Sequence, residues 1–164
     1  MDRLDLTDEF LQDAQKAMSW DPDIPLPYRI LGKLNLEGDF DRAKRFIKAN
    51  KALFHDEYSY LILDRAVESC LDLVADEDGA VYDVSDTLPK EHLYKPAPIV
   101  MEYMEYLLQN GADPHLPKQF DQYEHLKDVE EDCSQQMGVK FDLTDVKKLF
   151  DRWGGSIRKQ SRKF

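Results

Sequence analysis

Apolar residues recur at the spacing of an α-helix in one segment after another of this chain. The clearest stripe is Val100, Met101, Met104, Leu107 and Leu108, at i, i+1, i+4, i+7 and i+8. This spacing places the side chains on one helical face, so it predicts an amphipathic helix that packs by that face. No segment alternates apolar and polar residues with the β-branched enrichment typical of a strand. The pattern therefore predicts an all-α fold.

Interruptions between the stripes mark the ends of the predicted helices. Thr7 is placed to cap the first helix, and three prolines within residues 21–27 exclude a helix interior there. The predicted helices span about residues 7–20, 27–36, 39–50, 58–75, 98–110 and 121–136, and a last one runs from near residue 142 to Gly154-Gly155. Residues 76–98 carry no such stripe and are predicted to be irregular, with room for one short helix at 87–94. A connection of this length inside a compact domain usually has a function.

Three of the predicted helices carry apolar residues at corresponding positions. The three sets are Phe40, Ala43, Phe46 and Ile47; Val100, Tyr103, Tyr106 and Leu107; and Leu143, Val146, Leu149 and Phe150. The second set follows the first by 60 residues, and the third follows the second by 43. Helix pairs that cannot bury their apolar faces alone stack into solenoids. The offsets predict about three helix pairs, with an insertion at about residues 76–97.

The segment from Tyr106 to Pro114, with the sequence YLLQNGADP, resembles the end of an ankyrin repeat. In such a turn Gly111 supplies a positive φ and Ala112 packs beneath it. The resemblance extends more weakly over residues 28–155, although the Thr-Pro-Leu-His tetrapeptide of that family is missing. It implies an ankyrin-like helical-hairpin solenoid of about three degenerate repeats with an N-terminal capping helix, and it implies protein binding. The alternative is a non-repetitive helical bundle with one ankyrin-like turn.

We expect a single domain over residues 1–164. It would comprise an N-terminal helix and proline-rich linker at 7–26, ankyrin-like helix pairs at 27–155 and a basic tail at 156–164. No apolar run approaches the roughly 20 residues that span a bilayer, and the acidic first residues are unlike a secretory signal. Cys70 and Cys133 fit reduced core thiols. These features predict a cytoplasmic protein.

Negative charge is concentrated in the middle of the chain. The whole chain has a formal net charge of −11, whereas residues 51–150 carry 22 acidic and 9 basic side chains, a net charge of −13. Such a field repels nucleic acid and anionic membranes and attracts basic proteins. The composition therefore predicts no nucleic-acid partner and no membrane partner. It favours either a surface that maintains solubility or a docking face for a basic protein.

The motifs of common catalytic and metal sites are absent from the sequence. The histidines, at positions 55, 92, 115 and 125, do not form the helical zinc-protease pattern, and the two cysteines lie 63 residues apart. Asp76-Glu77-Asp78-Gly79 fails as an EF-hand loop, because Val74 and Ser85 would occupy its first and twelfth positions. There is no phosphate-binding glycine loop. We therefore expect no catalytic residues, no metal and no cofactor.

A binding surface for a protein is the remaining prediction. Aromatic residues among acidic ones suit an interface with a basic partner, although they could instead cover the core. The candidate partner-binding residues are Asp76, Glu77, Asp78, Tyr82, Asp83, Asp86, Tyr94, Phe120 and Tyr123. The most concrete hypothesis is an acidic inhibitor, such as an immunity protein that neutralises a basic nuclease-type toxin. The alternatives are a general ankyrin-type adaptor or effector that binds through its concave helical face, and an unrecognised hydrolase.

Overall fold

A computed structural model describes residues 6–116 and 122–161, with side chains up to residue 153. The α-helices are α1 (Asp8–Lys16), α2 (Leu26–Glu37), α3 (Phe40–Ala49), α4 (Tyr60–Glu68), α5 (Pro98–Gln109), α6 (Gln122–Met137) and α7 (Thr144–Ser161). The strands are β1 (Leu73–Ala75), β2 (Val81–Asp83), β3 (Leu93–Pro96) and β4 (Lys140–Phe141). A short 3-10 helix follows α3 at Lys51–His55. None of the described helices combines the length and the apolar character that a membrane crossing requires.

Local hydrogen bonds fix several helix ends where the sequence predicts them. The Thr7 hydroxyl accepts a hydrogen bond from the N–H of Phe10 at 3.0 Å, so the predicted cap of α1 is confirmed. At the end of α5 the Asn110 side-chain amide donates to the carbonyl of Tyr106 at 2.7 Å. Gly111 then adopts a φ of 114°, and Ala112 behind it is buried. Both features were expected of this turn.

The helices pack in two rows that share the core. Helix α2 contacts α4 and α4 contacts α6, whereas α3 contacts α5 and α5 contacts α7. Contacts of α2 with α3 and of α4 with α5 join the two rows, and α1 packs on α2. All four apolar residues expected to face inward from α3 are buried: Phe40, Ala43, Phe46 and Ile47. The amphipathic pattern of α3 therefore locates its core face correctly.

A four-stranded sheet with the order β2-β1-β3-β4 lies in the segment between α4 and α5 and after α6. Strand β1 pairs antiparallel with both β2 and β3, and β3 pairs parallel with β4. Val74 and Tyr94 point to the inner face and are fully buried. Val81 and Leu93 point to the outer face and are exposed. One face of the sheet therefore completes the core, and the other faces solvent.

The sheet overturns the prediction of an all-α, ankyrin-like solenoid. The strands are two to four residues long, so none is long enough to display the alternation by which a strand is recognised. Residues 58–75 were predicted as one helix, but α4 ends at Glu68, residues 69–72 form a turn, and residues 73–75 form β1. At that end the Ser69 hydroxyl donates to the carbonyl of Arg65 at 2.7 Å.

Two further predictions in irregular or glycine-containing segments are wrong. No helix forms at 87–94, where a turn leads into β3. Helix α7 does not stop at Gly154-Gly155 but continues to Ser161. Glycine weakens a helix by only about 1 kcal/mol per residue, so two glycines do not by themselves end one. The predicted basic tail at 156–164 therefore begins within α7, and its last three residues lie outside the described part of the chain.

We expect Gly38→Ala to lower the free energy of unfolding by about 1 kcal/mol, because a left-handed conformation disfavours any residue with a Cβ. Gly38 ends α2 with a φ of 74°. An added Cβ would lie 3.8 Å from the nearest atom of Leu73, so the loss reflects the backbone and not a clash. Urea unfolding monitored by circular dichroism measures it. Gly38→Asn should lose less than the alanine variant, and an equal loss would contradict this explanation.

Candidate protein-binding surface

The turn between β1 and β2 is built around the Asp76 carboxylate. Its Oδ1 accepts hydrogen bonds from the backbone N–H groups of Asp78 at 2.9 Å and Ala80 at 3.0 Å, and its Oδ2 accepts one from the Tyr82 hydroxyl at 3.3 Å. Burial raises the pKa of Asp76, but these hydrogen bonds outweigh burial and leave the pKa below its ordinary value. Asp76 is buried and shapes the turn from within.

Glu77 connects this turn to strand β3. One carboxylate oxygen lies 3.2 Å from Nδ1 of His92, and the other accepts a hydrogen bond from the N–H of Leu93 at 3.3 Å. The hydrogen bond to Glu77 raises the pKa of His92 above its ordinary value. The Glu77 side chain is exposed even though it is held in place. It therefore presents a carboxylate, held by His92 and by the N–H of Leu93, at the end of the sheet.

The remaining acidic residues of this region face solvent. We call residues 72–86, which include β1, β2 and their turn, the acidic hairpin. Asp78, Asp83 and Asp86 are exposed on it. Residues 66–89 contain seven acidic side chains and no lysine or arginine. The structure therefore gathers the predicted acidic candidates on one hairpin whose charge no basic residue of the same segment offsets.

Tyrosines 82 and 94 occupy the inner face of the sheet. Tyr94 is fully buried, and its ring packs edge-on against that of Tyr82 with 5.7 Å between the ring centroids. Its hydroxyl donates to the carbonyl of Pro89, and its ring also contacts Phe141 of β4. Tyr94 belongs to the core and is inaccessible to a partner, whereas Tyr82 is half-buried.

Tyr123, another predicted site residue, does not join the acidic hairpin. Tyr123 lies on α6, and its hydroxyl donates to the Asp151 carboxylate at 2.9 Å. Its ring stacks on the ring of His115, with 5.5 Å between the ring centroids. These contacts connect α6 to α7 and to the segment that precedes α6. Phe120 lies outside the described residues. The structure therefore brings together the candidates between 76 and 86 and places Tyr123 elsewhere.

Exposed apolar side chains on the sheet are the feature that the sequence analysis missed. Val81 of β2 is 56% exposed and Leu93 of β3 is 40% exposed. Val81 lies directly across from Ala75 of β1, which in turn lies across from Lys95 of β3. Recognising the short strands would have revealed these residues, because alternate side chains of a strand point to opposite faces.

A cavity of about 610 Å³ lies among α1, α2 and α4, adjoining the acidic hairpin at Asp72. Several of the charges that line it are paired: Arg65 contacts Glu68 at 2.7 Å, and Lys33 contacts Glu37 at 2.8 Å. Burial raises the pKa of Asp72 to about 6, and the nearby carboxylates of Asp83 and Glu68 act in the same direction. A hydrolase requires a pocket in which titratable side chains converge. This cavity brings such side chains together, so the hydrolase alternative stays a prediction.

Within the described part of the chain, no group of three His, Cys, Asp or Glu side chains could hold a metal ion. In comparison with known proteins, the chain matches no family model, no curated protein and no solved structure. The expectation of a protein partner therefore rests on the surface just described.

Proposed function

We propose that the chain is a non-catalytic protein-binding module that inhibits a basic enzyme, in the way an immunity protein neutralises a nuclease-type toxin. The observation that carries the proposal is the acidic hairpin, with exposed carboxylates at Glu77, Asp78, Asp83 and Asp86. A basic active site that binds phosphates has the charge that complements such a surface. The proposal includes a cytoplasmic location, which the two unpaired cysteines favour.

Charge concentrated on one surface acts first on the rate of association. Complementary fields raise encounter rates by about 10- to 1,000-fold at low ionic strength, and salt screens the effect. Glu77 is held by His92 and by the N–H of Leu93, so its charge is already oriented before a partner arrives. Binding a partner through Glu77 therefore costs little free energy for the ordering of that side chain.

We expect the triple variant Asp78→Asn/Asp83→Asn/Asp86→Asn to associate about tenfold more slowly with its partner at low salt, with a much smaller change in dissociation rate. The wild-type chain first captures the partner from its own cells at low salt. The purified partner is then tested by surface plasmon resonance at several salt concentrations and assayed for inhibition of its activity. A basic partner that loses activity on binding would support the proposal.

The matched control removes the same number of charges from other elements. Glu102→Gln/Glu131→Gln/Asp132→Asn neutralises three exposed acids on α5 and α6. We expect this control to associate nearly as fast as the wild-type chain, because its substitutions lie outside the acidic hairpin. Equal slowing by both variants would mean that the association rate depends on the net charge of the chain and not on the acidic hairpin. Slowing by the control alone would favour the adaptor alternative, and a partner that is not basic would refute the proposal.

A further inference from the structure

Strand β2 forms one edge of the sheet, so half of its backbone hydrogen-bonding groups point away from β1. The N–H of Val84 donates to the carbonyl of Asp72 at 2.8 Å, and the N–H of Asp76 donates to the carbonyl of Ala80 at 3.0 Å. The antiparallel ladder alternates, so Tyr82, midway between these bonds, also pairs with β1. Val81 must then direct its N–H and its carbonyl outward, as must Asp83.

The outward groups form a short template for another strand. Among the described residues, the carbonyl of Asp83 is engaged by the N–H of Asp86 at 2.9 Å, and no element lies beyond β2. The N–H and the carbonyl of Val81 and the N–H of Asp83 therefore remain for an added strand. Edge strands in natural proteins are commonly protected by short length, by charged side chains, by proline or by a bulge, and of these β2 has its short length and the charge of Asp83. The sequence Val81-Tyr82-Asp83 contains neither proline nor lysine, and its register with β1 is continuous.

The side chains along this edge specify what an added strand would carry. Val81 is exposed on the outer face, and Asp83 lies two residues along on the same face. Gly79 lies two residues before Val81 and has no side chain. It belongs to the turn, beside the exposed Glu77 and Asp78. An added strand would thus meet one apolar position between two negatively charged positions.

The same charges argue against a second copy of this chain as the occupant. Pairing β2 with β2 of another molecule would bring two acidic hairpins together, and like charges across strands are destabilising. A basic strand would instead gain favourable cross-strand charge pairs. Charge complementarity therefore selects a basic, extended segment over self-association.

We propose that the edge of β2 binds an extended segment of the basic partner as an added strand, with the pattern basic-x-apolar-x-basic. The apolar residue lies opposite Val81 and exchanges two backbone hydrogen bonds with it, and one basic residue lies opposite Asp83. The other basic residue lies opposite Gly79, within reach of the carboxylates of the turn. This inference rests on the proposed function and names the chemistry of the partner that the acidic hairpin recognises. Backbone pairing supplies affinity in such complexes, and alternate side chains supply specificity.

The test is Val81→Pro, because proline removes the outward N–H and is tolerated where an edge N–H faces solvent. Val81→Thr is the matched control, since threonine retains the N–H and suits a strand. The probe is a synthetic peptide with the order Lys-Thr-Val-Thr-Lys, measured by calorimetry at low salt. We expect Val81→Pro to bind it about tenfold more weakly than the wild-type chain and Val81→Thr to bind within about threefold, since one hydrogen bond contributes about 0.5–1.5 kcal/mol. Circular dichroism checks that each variant is folded.

A second comparison leaves the protein unchanged, so it does not depend on the folding of a variant. The peptide is methylated on the backbone nitrogen of its valine, which removes the donor to the Val81 carbonyl while keeping all charges. We expect about tenfold weaker binding, and we expect the amide signals of Val81 and Asp83 to shift in NMR spectra only with the unmethylated peptide.

Each outcome bears on the inference separately from the proposed function. Equal binding of the two peptides, or no binding of either, overturns strand addition. So does a dimer of the wild-type chain that Val81→Pro abolishes, because the edge would then pair with a second copy. The proposed function survives any of these results if the triple asparagine variant still slows association with the captured partner. It fails if that variant has no effect, whatever the peptides do.

Discussion

Replacing Asp64 by alanine is expected to lower the free energy of unfolding by about 3–5 kcal/mol, because it breaks a buried, paired charge network. Asp64 lies on α4 with only 6% of its surface exposed. One carboxylate oxygen accepts from Arg65 at 2.8 Å, and the other lies 3.1 Å from Nδ1 of His125 and 3.4 Å from Nε2 of Gln122. Since His125 and Gln122 belong to α6, this carboxylate joins two helices of one row. Urea unfolding at neutral pH measures the loss.

The same carboxylate predicts a dependence of stability on pH. Burial raises the pKa of Asp64, but the hydrogen bonds and positive charges of His125 and Arg65 outweigh burial and lower it below its ordinary value. The unfolded chain then binds the proton more readily than the folded chain. The stabilisation is present above the unfolded pKa of about 4 and is lost as the pH falls through the folded pKa.

A matched variant separates the charge from the shape of the side chain. Asp64→Asn keeps the size of the side chain, so it should lose less stability than Asp64→Ala and show a flatter pH dependence below about pH 4. In a double-mutant cycle with His125→Gln, the two losses should add to more than the loss in the double variant, because each substitution breaks the same contact. Strict additivity would show that the two side chains are not coupled.

The apolar stripe of a helix such as α3 was predicted from the sequence, whereas the strands were missed, and the difference has a physical reason. A stripe such as Phe40, Ala43, Phe46 and Ile47 spans several turns, so its period is visible in the sequence, and all of it is buried. Strand β1 is three residues long, and it pairs with β2 and β3, which follow it in the chain. Its apolar residues continue the stripe of α4 in the sequence. Only pairing with segments further along the chain identifies it as a strand.

The exposed acidic residues of the candidate site were predicted from the sequence, but its aromatic residues were predicted only in part. Glu77, Asp78, Asp83 and Asp86 are exposed together, as carboxylates in a polar turn region would be. Tyr94 was a candidate for partner contact and is instead buried, because β3 alternates exposed and buried residues. Leu93 and Tyr94 are both apolar enough to lie on either face. The sequence alone therefore does not determine which of them points inward.

Replacing Arg29 by methionine is expected to cost about 3 kcal/mol, because hydrogen bonds from a charged donor contribute about 1.5–3 kcal/mol each and water replaces some of those that are lost. The Arg29 side chain is buried on α2. Its guanidinium donates to the carbonyls of Gln15, Ala17, Asp21 and Ile24, at 2.6–3.0 Å. One side chain thus holds the end of α1 and the proline-rich connection that follows it.

Because these four carbonyls belong to α1 and the connection after it, the loss should be local before it is global. We expect Arg29→Met to increase amide hydrogen exchange in α1 much more than in α3, which has no contact with this network. Arg29→Lys is the matched control, since one ammonium group retains the charge but reaches fewer carbonyls than the planar guanidinium. The lysine variant should therefore fall between the wild-type chain and Arg29→Met in both stability and exchange. Uniform acceleration of exchange across all helices would mean that Arg29 stabilises the whole fold and does not specifically hold α1 against α2.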